Sequence, residues 1–292
     1  MTTSAIGTRI VQLRRLARGI LRSPEESSLT WPGGVRLTRL RPVKPRDVHV
    51  TNKFGRITLR GEHEGRPIKL IEAFSIEHAQ FLAAMSALPA LRARFPEVIA
   101  SHGRFLVTRW VEGTAPPRVI DDLVELQLAL HRTELAGLPP AGYDLWRDFL
   151  RPRLVRAAEM AGRDPDGITA SVDDVADRHP RTLVQPDLRL ENLVAVNGML
   201  VSIDNEACTT SALPLLDVCH TAHALRGDGQ RYWTAYLRHG GARPDPNELR
   251  AVRGAWLARL AGAAFVAGRI GESARLLDEH HRGRNLLPFD PT

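Results

Sequence analysis

The sequence predicts an α+β fold in which a small, mostly β N-terminal lobe precedes a large, mostly α-helical C-terminal lobe. Short apolar segments separated by turn residues dominate residues 35–72, a pattern typical of antiparallel strands. From residue 119 onward, apolar residues recur at helical spacing, with one hairpin among the helices. Separate runs of strands and helices are typical of α+β proteins, and 292 residues are enough for two lobes.

The first 34 residues are predicted to form a basic amphipathic helix and a linker. Residues 5–22 place apolar side chains on one helical stripe and arginines on the other face. Such a helix would dock on the neighbouring lobe or lie on a membrane surface. Residues 23–34 contain two prolines and two glycines and are expected to be a linker. The arginines also interrupt the apolar run that a secretory signal needs.

The N-terminal lobe is predicted to span residues 35–110. Strands are expected at 35–40, 47–51, 56–61, 67–71 and 105–110, with turn signals between the first four. Ser75 is expected to cap a helix that runs through Leu88, because apolar residues follow it at helical spacing.

The C-terminal lobe, residues 111–292, is predicted to be mainly helical. Helices are expected at 119–131, 146–160, 170–178, 213–225, 231–238 and 247–279. Two short apolar runs, 193–196 and 199–203, are joined by Asn197-Gly198. An Asn-Gly pair between apolar runs is among the strongest local hairpin signals.

Composition and charge restrict the classes of function. The net charge of +7 is uneven, since residues 1–69 carry 15 Lys and Arg against 5 Asp and Glu. Such a segment could face nucleic acid, anionic lipid or nucleotide phosphates. Aromatic residues, on which bases would stack, make up only 5% of the chain, which disfavours nucleic acid. Two cysteines form no disulfide framework and indicate a reducing compartment. We therefore expect a cytoplasmic protein, with peripheral contact at the inner face of the membrane as an alternative.

The residues that carry chemistry lie between Leu183 and Asp217. Asn192 follows Asp187 after four intervening residues, and Asp204 comes directly after the second strand of the hairpin. The hairpin therefore brings these side chains to adjacent strand ends. Mg²⁺ prefers hard oxygen ligands and usually takes one or two carboxylates with phosphates and water. The pattern fits phosphoryl transfer, with Asp187 as the base for an attacking hydroxyl and Asn192 and Asp204 as Mg²⁺ ligands.

This arrangement resembles the aminoglycoside phosphotransferase and choline kinase group of the protein-kinase-like superfamily. Its members typically read H-x-D-x-x-x-x-N, then a hairpin, I-D-x-E and an aspartate that opens a helix. The matching segments here are Gln185-Pro186-Asp187 with Asn192, Ile203-Asp204-Asn205-Glu206, and Leu216-Asp217. The resemblance implies a two-lobed kinase-like fold, ATP as donor, Mg²⁺, and Asp217 as a structural aspartate behind the catalytic loop. Gln185 stands where histidine is usual, so a catalytically inactive relative is an alternative.

The resemblance also implies a nucleotide site in the N-terminal lobe. Lys69, on the third strand of the small sheet, matches the phosphate-binding lysine of the family. Glu77, near the start of the next helix, would pair with it, and Glu72 is the rival partner. The backbone from Arg109 to Val111 would contact the adenine edge. Lys69 is one of three lysines against 37 arginines.

The expected acceptor is a small molecule with a hydroxyl group, bound in the helical lobe. Acidic residues there could favour a cationic acceptor such as an aminoglycoside or amino alcohol, although acids also solvate helix ends. They are Asp121, Asp122, Glu125, Asp164, Asp166, Asp173 and Asp174. A sugar or membrane-linked glycan is a further alternative. His220 and His223 could ligate zinc only with a third ligand that the sequence does not supply.

Overall fold

The computed structural model describes residues 28–30, 34–43, 56–116 and 120–291. The described residues up to Glu112, with Leu138–Gly142, form one compact unit, and those of Gly113–Gly137 and from Tyr143 onward form a second. The expected helix at 5–22 and strand at 47–51 lie outside the described residues. Within the described ranges, no helix is both long and apolar enough to cross a membrane.

The first unit is built on a six-stranded antiparallel sheet in the order β1-β2-β3-β4-β6-β5. The strands are β1 Ser28–Thr30, β2 Arg36–Pro42, β3 Thr58–His63, β4 Arg66–Glu72, β5 Val98–His102 and β6 Phe105–Arg109. Four of them confirm predicted strands. The β1 strand corrects the expected linker, since its backbone pairs with β2. Lys69 therefore lies on the fourth described strand rather than the third.

Strand β5 is absent from the sequence prediction. It folds back onto β6 through a turn at Gly103, whose φ of +57° suits glycine. The first helix, α1 (Ile76–Ala87), confirms the prediction, and the Ser75 hydroxyl accepts from the His78 amide at 3.0 Å. Phe81 and Met85 are buried on this helix, which packs against β5 and β6.

The second unit is mainly helical. Its helices are α2 Ile120–His131, α3 Arg151–Met160, α4 Asp166–Arg178, α5 Pro214–Ala224, α6 Gly229–Arg238, α7 Pro246–Val266 and α8 Ile270–His281. A π-helical segment, Leu145–Leu150, leads into α3. The prediction of one helix at 247–279 was wrong, because two helices, α7 and α8, cover this segment. Gly268, with φ of +74°, ends α7 and lets the chain turn into α8.

Two small antiparallel sheets interrupt the helices of the second unit. Strand β7 (Thr182–Val184) pairs with β10 (Thr209–Ser211), and β8 (Leu193–Val196) pairs with β9 (Met199–Ser202). The β8–β9 turn has φ of 49° at Asn197 and 77° at Gly198. Positive φ at both turn positions is what an Asn-Gly hairpin requires, so the predicted hairpin is confirmed.

Helix α7 forms the centre of the second unit and packs against α3, α4 and α8. Its Trp256 is buried and donates from the indole nitrogen to the Leu286 carbonyl at 2.8 Å. On α6, buried Trp233 stacks on Phe289 with ring centroids 4.6 Å apart. Burial of such large rings stabilises the helical core on which the loop between β7 and β8 rests.

Candidate functional site

The loop between β7 and β8 carries the first two predicted site residues. Leu188, in the middle of this loop, is buried, and its amide donates to the Gln185 carbonyl at 3.1 Å. A single 3₁₀ turn, Leu190–Asn192, then leads into β8, with the Asn192 amide donating to the Arg189 carbonyl at 2.9 Å. The buried leucine and these backbone bonds fix the course of the loop.

Asp187 and Asn192 are in direct contact. The Asn192 side-chain nitrogen donates to the Asp187 carbonyl at 2.9 Å and to its Oδ2 at 3.1 Å. Arg189 Nε lies 2.8 Å from Asp187 Oδ1. The Asp187 side chain keeps 27% of its surface exposed, and each carboxylate oxygen can accept more than one bond. The predicted base is therefore oriented by two neighbours and still accessible to a substrate.

Asp204 is held at the same strand end as Asn192. The Ile203 amide donates to the Asn192 carbonyl at 2.9 Å, which extends the β8–β9 pairing by one residue. The Asp204 carbonyl accepts from Gln185 Nε2 at 2.6 Å. These backbone bonds place the two predicted metal ligands at neighbouring positions, although they are 12 residues apart in sequence.

The donor set of Asn192 and Asp204 suits Mg²⁺. Because the amide nitrogen of Asn192 is committed to Asp187, its amide oxygen is the atom available for a cation. That oxygen and the Asp204 carboxylate are hard ligands. No group of three or more His, Cys, Asp or Glu in the described part of the chain could hold a metal. The zinc alternative at His220 and His223 therefore has no support there.

Gln185 anchors the loop on two sides, although the family pattern has histidine there. It is fully buried, and its side-chain nitrogen donates to the Asp204 carbonyl and lies 3.4 Å from Ser202 Oγ. Its backbone amide donates to Asp217 Oδ2 at 2.9 Å. Glutamine thus couples the loop to the strand end that carries Asp204.

Replacing Gln185 with alanine is expected to lower the free energy of unfolding by about 1–3 kcal/mol, because a fully buried side chain and its hydrogen bond to the partly buried Asp204 carbonyl are lost. Since Asp204 loses a support, the Mg²⁺ concentration for half-maximal activity should also rise. Urea unfolding and Mg²⁺ titration measure the two effects. Gln80→Ala, at an exposed position of α1, is the matched control. Equal behaviour of the two variants would contradict the anchoring role.

Asp217, on α5, binds the backbone of the loop and lies beside His131, which no motif in the sequence indicates. Only 1% of its surface is exposed. Its Oδ2 accepts from the Gln185 amide and lies 3.4 Å from His131 Nε2. His131 Nδ1 in turn lies 3.5 Å from the Tyr236 hydroxyl. His131 is 86 residues from Asp217, so no local motif could reveal the pair.

His220 holds the loop through another long-range bond. Its Nδ1 lies 2.6 Å from the Pro186 carbonyl, which can only accept, so Nδ1 carries the proton. Burial, followed by the positive charge of Arg259, lowers the pKa of His220 to about 4. The imidazole is therefore neutral near pH 7 and acts as a fixed donor. Its ring meets Trp256 edge-on at 5.5 Å.

The predicted phosphate-binding lysine lies in the first unit. Lys69 is partly buried on β4, where its backbone pairs with Arg60 and Thr108 on the flanking strands. Glu77 is exposed in the first turn of α1. Its own backbone amide, followed by the Ser75 hydroxyl, lowers the pKa of the Glu77 carboxyl. The Lys69–Glu77 pair stays a prediction.

The rival residue, Glu72, is engaged within the sheet. It is buried at the end of β4, and its carboxylate lies 3.0 Å from Arg104 Nη2. The other carboxylate oxygen accepts from the Ile57 amide at 2.9 Å. These partners fix one end of the sheet.

The segment predicted to contact adenine follows directly from β6. The Arg109 amide donates to the Glu97 carbonyl at 2.8 Å, and the Trp110 amide donates to the Pro67 carbonyl at 3.1 Å. The Arg60 guanidinium lies over the Trp110 ring at 4.4 Å. Both amides are thus committed within the sheet, and Val111 is the first residue beyond it.

An antiparallel sheet unit followed by a helical unit that carries this loop and hairpin is the arrangement of the kinase-like fold. No protein-family model matches the sequence, and no curated protein matches it. A thermostable mutant of aminoglycoside phosphotransferase APH(4)-Ia is similar, with TM-score 0.54 and 18% identity over 86% of this chain and 96% of that one.

Two further solved structures share the fold. A putative fructosamine-3-kinase from Haemophilus somnus 129PT gives a TM-score of 0.54 at 13% identity, covering 83% of this chain and 91% of that one. Amicoumacin kinase hAmiN, in complex with AMP-PNP, Ca²⁺ and Ami, gives 0.58 at 12% identity, covering 97% and 98%. The predicted resemblance to small-molecule kinases is therefore confirmed for the fold.

Proposed function

We propose that this protein transfers the γ-phosphate of ATP to a hydroxyl group of a small molecule in the presence of Mg²⁺. The observation that carries the proposal is the contact of Asp187 with Asn192, on a loop that is bonded to Asp204 through Gln185. Similar structures support it. The mutant APH(4)-Ia has been solved with ADP and hygromycin B, and amicoumacin kinase with AMP-PNP.

In the proposed reaction, the acceptor hydroxyl oxygen attacks the γ-phosphorus. The bond from that phosphorus to the oxygen bridging the β-phosphate breaks, and ADP leaves. The proton of the hydroxyl passes to the Asp187 carboxylate, which Asn192 and Arg189 orient. Asn192 and Asp204 would hold Mg²⁺, which when bound neutralises phosphate charge.

We assign nucleotide binding to residues 35–110, and catalysis and acceptor binding to residues 111–292. Lys69 would contact the α- and β-phosphates, with Glu77 as its partner. Because the Arg109 amide is bonded to Glu97, we propose that the Val111 amide donates to adenine. Arg109 would lie at the start of the same adenine-contacting segment.

The acceptor class includes aminoglycosides, amino alcohols and sugar-like molecules, and a membrane-linked glycan is an alternative. The competing function is a catalytically inactive nucleotide-binding scaffold, which is suggested by glutamine at position 185, where histidine is usual. We place the protein in the cytoplasm. Cys208 and Cys219, both buried free thiols, support a reducing compartment.

Purified protein should consume ATP only with Mg²⁺ and a hydroxyl acceptor, and EDTA should abolish the reaction. Asp204→Asn is expected to raise the Mg²⁺ concentration for half-maximal rate by about tenfold or more, since even groups that merely support a ligand shift metal affinity by about 10–100-fold. Mg²⁺ titration of the initial rate measures this. Asp177→Asn, on the exposed face of α4, serves as control. An unchanged Mg²⁺ requirement in Asp204→Asn would remove Asp204 from the metal site.

A further inference from the structure

Two arginines, Arg189 and Arg259, lie near the predicted base, and a third, Arg153, lies near Arg259. Arg189 lies on the loop between β7 and β8, with its Nε 2.8 Å from Asp187 Oδ1. Arg153 lies on α3 and Arg259 on α7. Burial lowers the pKa of the Arg259 guanidinium most, and the positive charges of Arg189 and Arg153 lower it further, against the opposing effect of Asp187. Arg259 therefore lies within electrostatic range of Asp187, Arg189 and Arg153.

The packing of α7 independently places Arg259 beside the loop. Trp256 and Arg259 are three residues apart and so lie on the same face of the helix. The Trp256 ring meets the ring of His220 at 5.5 Å. His220 is bonded to the carbonyl of Pro186, the residue directly before Asp187.

One turn further along, the same face of α7 meets Arg153. Gly262 is three residues beyond Arg259, and a Cβ at this glycine would lie only 2.8 Å from Arg153 Cβ. The close approach of α3 and α7 therefore depends on glycine at this position. Arg259 consequently lies on the helix face between the loop and Arg153.

The guanidinium groups of Arg153 and Arg259 have no carboxylate bonded to them among the residues that the structure describes. The Arg153 guanidinium stacks over the Phe149 ring at 3.7 Å, and Arg259 is partly buried. Holding a partly desolvated cation without a counter-charge is costly. Arg259, near Asp187 and with Arg153 close to it along α7, is thus in a position suited to an anion.

Three of the seven carboxylates that could have attracted a cationic acceptor are engaged elsewhere. Asp173 accepts from the Trp146 indole at 2.7 Å and pairs with Arg151 at 3.2 Å. Asp174 pairs with Arg178 along α4, and Asp121 pairs with Arg238. These contacts neutralise three of the acids on which the cationic alternative depended.

We propose that the acceptor is an anionic small molecule, a hydroxyl compound with a carboxylate or phosphate group that Arg259 and Arg153 bind while its hydroxyl faces Asp187. This inference rests on the proposed phosphotransfer. Guanidinium groups suit both anions, because their planar donors match carboxylate and phosphate oxygens. Arg189 would complete the positive environment while keeping its bond to Asp187.

The test uses the full-length protein with Mg²⁺ and ATP and matched acceptors. Glycerol is compared with glycerate and glycerol 3-phosphate, and glucose with gluconate, glucose 6-phosphate and glucosamine. An acidic member should have the highest kcat/KM. Arg259→Gln should raise the KM for this acidic acceptor by about 10–100-fold, as for loss of a charged hydrogen bond, and should leave the KM for ATP unchanged. Arg259→Lys should raise the KM for the acidic acceptor by a smaller factor. Arg253→Gln, exposed on the same helix, is the matched control.

Equal or better rates with neutral or cationic acceptors would overturn the anionic acceptor and leave phosphotransfer standing. An increase in the KM for ATP alone would assign the arginines to the nucleotide and also overturn it. If no acceptor reacts, thermal shifts with AMP-PNP present decide the matter. Stabilisation by an acidic panel member over its neutral counterpart, lost in Arg259→Gln, would support the anion site even though phosphotransfer failed. If the acidic and neutral compounds stabilise the protein equally, the anion site is overturned.

Discussion

Replacing Asp187 with asparagine is expected to lower kcat by about 10²–10⁴-fold, the range that a positioned acid or base contributes. Asparagine has nearly the same shape but cannot take the proton of the acceptor hydroxyl. The free energy of unfolding should change by at most about 1 kcal/mol, because the pair with Arg189 is partly exposed. Steady-state kinetics and urea unfolding measure the two quantities.

Glu191→Gln is the control for this change, because Glu191 lies on the same loop and also contacts Arg189, at 3.5 Å. It should retain nearly full activity. A rate that is the same in the Asp187→Asn variant and the natural protein would eliminate Asp187 as the base. If every acceptor also left ATP intact, the scaffold alternative would be favoured.

Replacing Asp217 with alanine is expected to have the largest effect on stability. The change removes the partner of the Gln185 amide and of His131 from a buried position. Leaving a buried hydrogen-bonding group without its partner costs about 1–3 kcal/mol, and this change affects two such groups. Urea unfolding should show this loss, and kcat should fall as the loop loses its support.

Asp174→Ala provides the comparison, since Asp174 pairs with Arg178 on the exposed surface of α4 and such pairs contribute at most about 1 kcal/mol. Asp217→Asn retains an oxygen for the Gln185 amide and should fall between the two. Equal unfolding free energies for Asp217→Ala and Asp174→Ala would show that the buried carboxylate does not hold the loop.

The parts of the fold that could be predicted have local causes. Ser75 caps α1, and Asn197-Gly198 turns the hairpin, because each depends on the conformation of a few adjacent residues. The contact of Asp187 with Asn192 spans five positions and also follows from a short pattern. The hairpin then carries Asp204 to the same place.

The parts that the sequence could not predict depend on contacts between distant segments. Residues Ser28–Thr30 form strand β1 because their backbone pairs with that of β2. His131 comes within reach of Asp217, and the charge of Arg259 comes near that of Asp187, only after the helices have packed. Neither His131 nor Arg259 belongs to a motif. The break at Gly268 did have a local signal, since glycine commonly follows a helix end, but the apolar pattern on both sides concealed it.

The bond from His220 to the Pro186 carbonyl bears on how acidity would influence turnover. With its pKa at about 4, the imidazole stays uncharged in the folded molecule from about pH 5 upward. A change of rate with pH in that range would therefore not come from His220, because its imidazole keeps the same charge there. Acid would act through unfolding instead. The unfolded chain binds the proton first, so the contribution of this histidine to stability, complete above about pH 6.5, declines toward pH 4.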